Sequence, residues 1–105
     1  MNQDVLNRLS QVIRARREAS PETSYTRQLL DGGPERCAKK LGEEAVETLI
    51  AAISQDDAAL KNESADLIYH LLVLLEARGV ALDDVLQVLE GRMGESGLAE
   101  KARRG

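Results

Sequence analysis

Apolar residues recur along this chain at three- and four-residue spacing almost from end to end, and the alternation of a strand is close to absent. Val5, Leu6, Leu9, Val12 and Ile13 predict an amphipathic helix from about Asp4 to Glu18. Ser20-Pro21 ends it, because the residue before a proline is pushed out of the helical region. Ser24 to Leu30 reads as a short helix stopped by Asp31-Gly32-Gly33. Pro34 suits the first position of a longer helix that runs to about Gln55. Asp56 is a good N-cap for the next helix, and Gly79 a good C-terminal cap for it. Leu82, Val85, Leu86 and Leu89 mark a last helix, with Asp83 and Asp84 at its positive end. The expected fold is all-α: a helical bundle of four to five helices around a central antiparallel helix pair. The domain is expected over 1–92. A flexible tail is expected over 93–105, where the glycines that begin at Gly91 lead to a charged finish.

The two long helices differ in pattern. Leu67 to Leu75 in the second is apolar nearly all round, the mark of a helix buried inside a bundle or a dimer. The first carries a broad apolar arc of Leu41, Ala45, Val46, Leu49, Ile50 and Ile53, with Lys40, Glu44 and Glu47 in its polar remainder. The chain has 105 residues, and its only aromatic side chains beyond His70 are Tyr25 and Tyr69. A core built from so little bulk is thin, so burial against a second copy, a homodimer, is expected.

Charge and composition narrow the function. Asp and Glu outnumber Lys and Arg by 18 to 14, a net charge of -4, which argues against a nucleic-acid binder. Two aromatic residues are too few for a base-stacking platform. The single cysteine, Cys37, excludes an internal disulfide framework and suits a reducing compartment. The opening MNQDVLNRLSQ does not read as a signal peptide, and the Leu71–Leu75 run is far too short to span a bilayer. The expectation is a cytoplasmic protein with no membrane and no nucleic-acid partner.

Candidate chemistry lies on the long helices. Glu44 and Glu47 are neighbours on one helical face, and so are Glu63 and Asp66. Both pairs stand at similar distances from the turn, so an antiparallel hairpin brings them level. Four carboxylates converging beside a core repel one another, and an unpaired buried ion costs several kcal/mol. Hard oxygen donors with room for water suit Mg²⁺, with Mn²⁺ as the alternative, whereas one His and one Cys do not suit a structural zinc site. An acidic face that is merely solvated, with Lys39, Lys40 and Lys61 as ordinary salt-bridge partners, is the competing reading. Arg36, Lys39 and Lys40 one turn before the carboxylates, and Arg27 earlier, are the cations a polyphosphate needs. Ser24, Tyr25 and Thr26 either contact substrate or cap a short helix. His70 reads as a structural, hydrogen-bonded histidine, with a general base as the alternative, and Cys37 reads as packing.

Glu43-Glu44-x-x-Glu47, fifteen residues, then Glu63-x-x-Asp66 resembles the signature of the all-α nucleotide pyrophosphohydrolases, the MazG-like superfamily. Ser24-Tyr25-Thr26, Lys39-Lys40-x-Gly42 and Tyr69-His70 after the second motif narrow the resemblance to the phosphoribosyl-ATP pyrophosphohydrolases. The likeness covers roughly residues 4 to 92. Cys37 departs from it, standing where an aliphatic residue is expected. The resemblance implies a dimeric helical fold and Mg²⁺-dependent hydrolysis of phosphoribosyl-ATP to phosphoribosyl-AMP and pyrophosphate, the second step of histidine biosynthesis. It implies metal-ligand roles for Glu44, Glu47, Glu63 and Asp66, and a catalytic part for Glu43 and Glu47, with Glu43 orienting water. It implies substrate contacts for Arg36, Lys39, Lys40, Ser24, Tyr25 and Thr26. The superfamily motif alone equally permits a housekeeping hydrolase of nucleoside triphosphates. A non-enzymatic helical dimerisation module is the alternative of another class.

Overall fold

Local signals set the helix ends in the computed structural model, which describes residues 4–93, 101–102 and 104. Five α-helices follow in order: α1 (Val5–Ala15), α2 (Tyr25–Asp31), α3 (Gly33–Ser54), α4 (Asp57–Arg78) and α5 (Leu82–Arg92), with a 3-10 turn at Arg16–Glu18 extending α1. There is no strand among the described residues. Most of the tail expected over 93–105 lies outside them.

Three caps explain the boundaries. The Ser24 hydroxyl accepts the Arg27 amide at 3.1 Å and starts α2. The Asp56 carboxylate accepts the Ala59 amide at 2.9 Å and starts α4. Gly79, at φ 71°, ends α4 in the left-handed region that a side chain resists. The amides of Gly79 and Val80 reach back to the carbonyls of Glu76 and Leu75, satisfying two otherwise orphaned acceptors. Gly33 also sits at positive φ, 82°, and lets α3 begin directly after α2. Gly91 does not end α5, which runs through it to Arg92.

The long helices α3 and α4 are joined only by Gln55 and Asp56, and they pack together as a hairpin. Its register is fixed midway, where the Thr48 hydroxyl lies 2.8 Å from the Glu44 carbonyl and 3.2 Å from that of Glu63. At the end away from the turn, α1 and α2 close over the pair. Ile13, Leu29, Cys37, Leu72 and Val73 form the core there, with Leu6, Leu9 and Tyr69 packed against it. Cys37 is packing, as expected, and its thiol donates to the Leu29 carbonyl at 3.2 Å. Arg17 pins the end of α1 to α4 by donating to the Glu76 carboxylate at 2.6 Å and its carbonyl at 2.7 Å.

The apolar arc of α3 does not face α4. The stripe Cys37, Glu44, Thr48 and Ala51 does, with Cys37 and Ala51 fully buried, while Leu49 is 61% and Ile53 85% exposed. Val46 and Ile50 are half-exposed beside them. Small side chains on the inner stripe let the helices approach closely, and this turns Glu44 inward rather than leaving it on a polar outer face. Nor is α4 covered all round within one chain: Ile68 and Leu71 stay partly open.

Candidate functional site

The hairpin register decides which carboxylates meet. With Thr48 level with Glu63, Glu44 on α3 lies one turn further from the connection, level with Asp66 and His70 on α4. Glu44, Glu63 and Asp66 each place a carboxylate oxygen within 4.8 Å of the others. Glu44 and Glu63 are partly buried and Asp66 is exposed, so the cluster opens to water on one side. Glu47 is exposed and outside that trio, although it adjoins both Glu44 and Glu63 closely enough to shift their ionisation.

The electrostatics are those of crowded like charges. Burial, then the neighbouring Glu47, Asp66 and Glu63, push the Glu44 carboxyl up from 4.5 to about 7. Burial, with Glu47 and Asp66, pushes Glu63 up as well. Glu44 Oε2 is buried and has no hydrogen-bond partner. A buried carboxylate oxygen is ordinarily satisfied, so an orphan on one member of a carboxylate trio marks a place for a cation. Oxygen-only donors open to water fit Mg²⁺ or Mn²⁺, and the residues present therefore fit the expected metal.

His70 lies against this cluster. It is 5% exposed, its Nε2 is 3.9 Å from Glu44 Oε1, and its Nδ1 has no hydrogen-bond partner. The expected hydrogen-bonded structural histidine is thus buried but not conventionally bonded. Burial holds its pKa below the usual value against the pull of Asp66. The Tyr25 and Tyr69 rings meet it edge-on, with centroids 6.2 and 5.0 Å away.

The cations and hydroxyls are distributed unevenly. Lys40 pairs with Glu43 at 3.3 Å, which raises its pKa, and Tyr25 adds to the effect. Glu43 is exposed and is not one of the trio. Arg36 and Lys39 are exposed on the same helix. Arg27 is committed to the scaffold: it donates to Asp31 at 2.9 Å and to the Ala19 carbonyl at 2.6 Å. Ser24 is buried at the cap of α2, and Thr26 shares a 2.5 Å hydrogen bond with the Tyr69 hydroxyl. Tyr25 is half-exposed beside His70. Sequence reasoning missed the Glu44–His70 approach and the Thr48 bridge; the one signal for them is the spacing of 44, 48 and 51 along one stripe. Cavities of about 460 Å³, lined by Pro34, Ala38, Leu74 and Arg78 among others, and about 200 Å³, between α1 and the start of α5, lie away from the carboxylates.

Similarity to known proteins agrees with this geometry. The phosphoribosyl-ATP pyrophosphohydrolase family matches residues 6–93. A phosphoribosyl-ATP pyrophosphatase of Cereibacter sphaeroides is 55% identical, covering 96% of this chain and 98% of its own length. Proteins of the same name from Rhodobacter capsulatus (55% identical; 95% and 97% covered) and Dinoroseobacter shibae (56%; 95% and 98%) are similarly near. From its helices, its carboxylate trio and these matches, the chain belongs to the phosphoribosyl-ATP pyrophosphohydrolase family.

Proposed function

We propose that this chain hydrolyses phosphoribosyl-ATP to phosphoribosyl-AMP and pyrophosphate, the second step of histidine biosynthesis, in the cytoplasm. The relatives' name supports the substrate. The observation that carries the chemistry is the carboxylate trio with its buried, unpartnered Glu44 oxygen.

Glu44, Glu63 and Asp66, with Glu47 beside them, are the residues that hold the divalent metal, Mg²⁺ or in its place Mn²⁺. When bound, that ion supplies charge neutralisation of the phosphates and acidifies water. The chain's own groups do the rest. Glu47 is exposed next to Glu44 and Glu63, where it takes the proton from the attacking water, and Glu43 helps orient that water. Water attacks at the α–β linkage, the phosphoanhydride bond breaks, and pyrophosphate leaves. Lys40, with Arg36 and Lys39 on the same helix, holds the charge of the departing phosphates. Tyr25 presents its half-exposed ring and hydroxyl to the rest of the nucleotide, and Ser24 and Thr26 flank it in the same substrate-binding segment. Attack by water needs no covalent intermediate.

The exposed arc of Val46, Leu49, Ile50 and Ile53 on α3, together with Ile68 and Leu71 on α4, supports a homodimer that buries it. Pyrophosphate release from phosphoribosyl-ATP, measured beside a panel of deoxynucleoside triphosphates, tests the substrate. Faster turnover of phosphoribosyl-ATP is expected. Preference for the panel would make the chain a housekeeping triphosphate hydrolase instead.

A further inference from the structure

We propose that His70 is a positioning residue that fixes the Glu44 carboxylate through its Nε2–H, so that Glu44 presents its buried oxygen Oε2 to the cation. The inference rests on the proposed metal role of Glu44.

Three observations carry it. His70 Nε2 is 3.9 Å from Glu44 Oε1, longer than a hydrogen bond but within ion-pair reach. His70 Nδ1 is buried and has no partner. An imidazole with a single N–H then carries it at Nε2: the other tautomer buries an unpaired donor at Nδ1 and turns a lone pair toward a carboxylate oxygen. The ring is also held in orientation. Tyr69 meets it at 77° and Tyr25 at 84°, both edge-on. The Tyr69 hydroxyl is itself hydrogen-bonded to Thr26, so α2 ties down one of the two rings that meet the histidine. The two oxygens of Glu44 therefore have different tasks. Oε1 lies 3.9 Å from the imidazole Nε2, and Oε2 is buried with no hydrogen-bond partner. A carboxylate steadied on one oxygen loses less freedom when the other ligates a cation, and loss of such a support typically lowers metal affinity 10- to 100-fold.

The test uses Mn²⁺ binding to the full chain, followed by electron paramagnetic resonance of the free ion, so that no turnover is read. His70→Leu keeps the bulk and removes the donor. His70→Gln returns an N–H close to the Nε2 position. Circular dichroism checks that each variant folds. Wild type is expected to bind Mn²⁺ saturably, His70→Leu about tenfold or more weakly, and His70→Gln within a few-fold of wild type. Equal affinity of His70→Leu and wild type overturns the positioning role while leaving the metal site intact. Absence of Mn²⁺ binding in wild type overturns both. Should His70→Leu not fold, long-range ¹H–¹⁵N spectra of the tag-free wild type decide, since this is the only histidine in the chain. A proton on Nε2 and none on Nδ1 is expected, and a proton on Nδ1 alone overturns the proposal.

Discussion

Glu44 is the residue whose environment departs furthest from its sequence appearance. Its spacing from Glu47 marks both as metal candidates, yet periodicity places them alike, and only the hairpin rotation turns one inward and leaves the other exposed. The consequence is measurable in the metal-free protein. Glu44 titrates at about 7 in the folded chain and at 4.5 without its surroundings. Between these values the folded state holds a proton the unfolded state has released, so this group's contribution to stability falls as pH rises across that window and stays low above it. Glu63 acts in the same direction. His70, with its lowered pKa, acts oppositely, losing stability as pH falls below 6.5. Subtracting a Glu44→Gln variant isolates the Glu44 part. Its melting temperature is expected to exceed that of wild type at pH 8 and to approach it at pH 5; an equal difference at both contradicts the assignment. For Glu47→Gln, turnover is expected to drop by about 10²–10⁴-fold with the circular dichroism spectrum preserved. Retention of full activity would remove Glu47 from the chemistry.

At the scale of helices, the ends were legible in the sequence and the docking faces were not. Ser24, Asp56 and Gly79 act on the backbone within four residues of themselves, so their meaning survives without tertiary context. Asp56→Ala is expected to cost about 1 kcal/mol, read as a lower urea midpoint with an unchanged slope; no shift would show that the cap is unimportant to the hairpin. Faces are different. Helix α3 carries two stripes, the small and polar Cys37, Glu44, Thr48 and Ala51, and the larger apolar Val46, Leu49, Ile50 and Ile53. Periodicity says which residues share a stripe, but the partner helix selects which stripe it covers. Within this chain α4 covers the polar one, which is how the carboxylates of the two helices come together. Gly91 lies inside α5, where a helix tolerates one interior glycine at a cost of about 1 kcal/mol, and the helix continues past it to Arg92.

Among the described residues, α3 and α4 form a hairpin with α1 and α2 packed over the end away from the turn. The molecule's radius of gyration is 15.7 Å, above the roughly 13 Å of a compact chain of this size. Among the described residues, no helix is long and apolar enough to cross a membrane. The exposed arc instead supports a second copy. Ile53→Glu or Leu49→Glu is expected to turn a dimer into a monomer in analytical ultracentrifugation at micromolar concentration; a wild type that sediments as a monomer would contradict the dimer. The all-helical fold and the two carboxylate pairs could be anticipated because both rest on spacing along single helices; that Glu44, Glu63 and Asp66 meet while Glu47 stays outside depends on the register of α3 against α4. The Glu44–His70 approach could not be anticipated, because it depends on how α3 and α4 are rotated against each other. The central claim is that the trio exists to hold a divalent cation, and calorimetric titration of Mg²⁺ into the wild-type chain tests it most directly. A saturable isotherm that disappears in Asp66→Asn is predicted, whereas no binding in wild type, or identical binding in the variant, would contradict it.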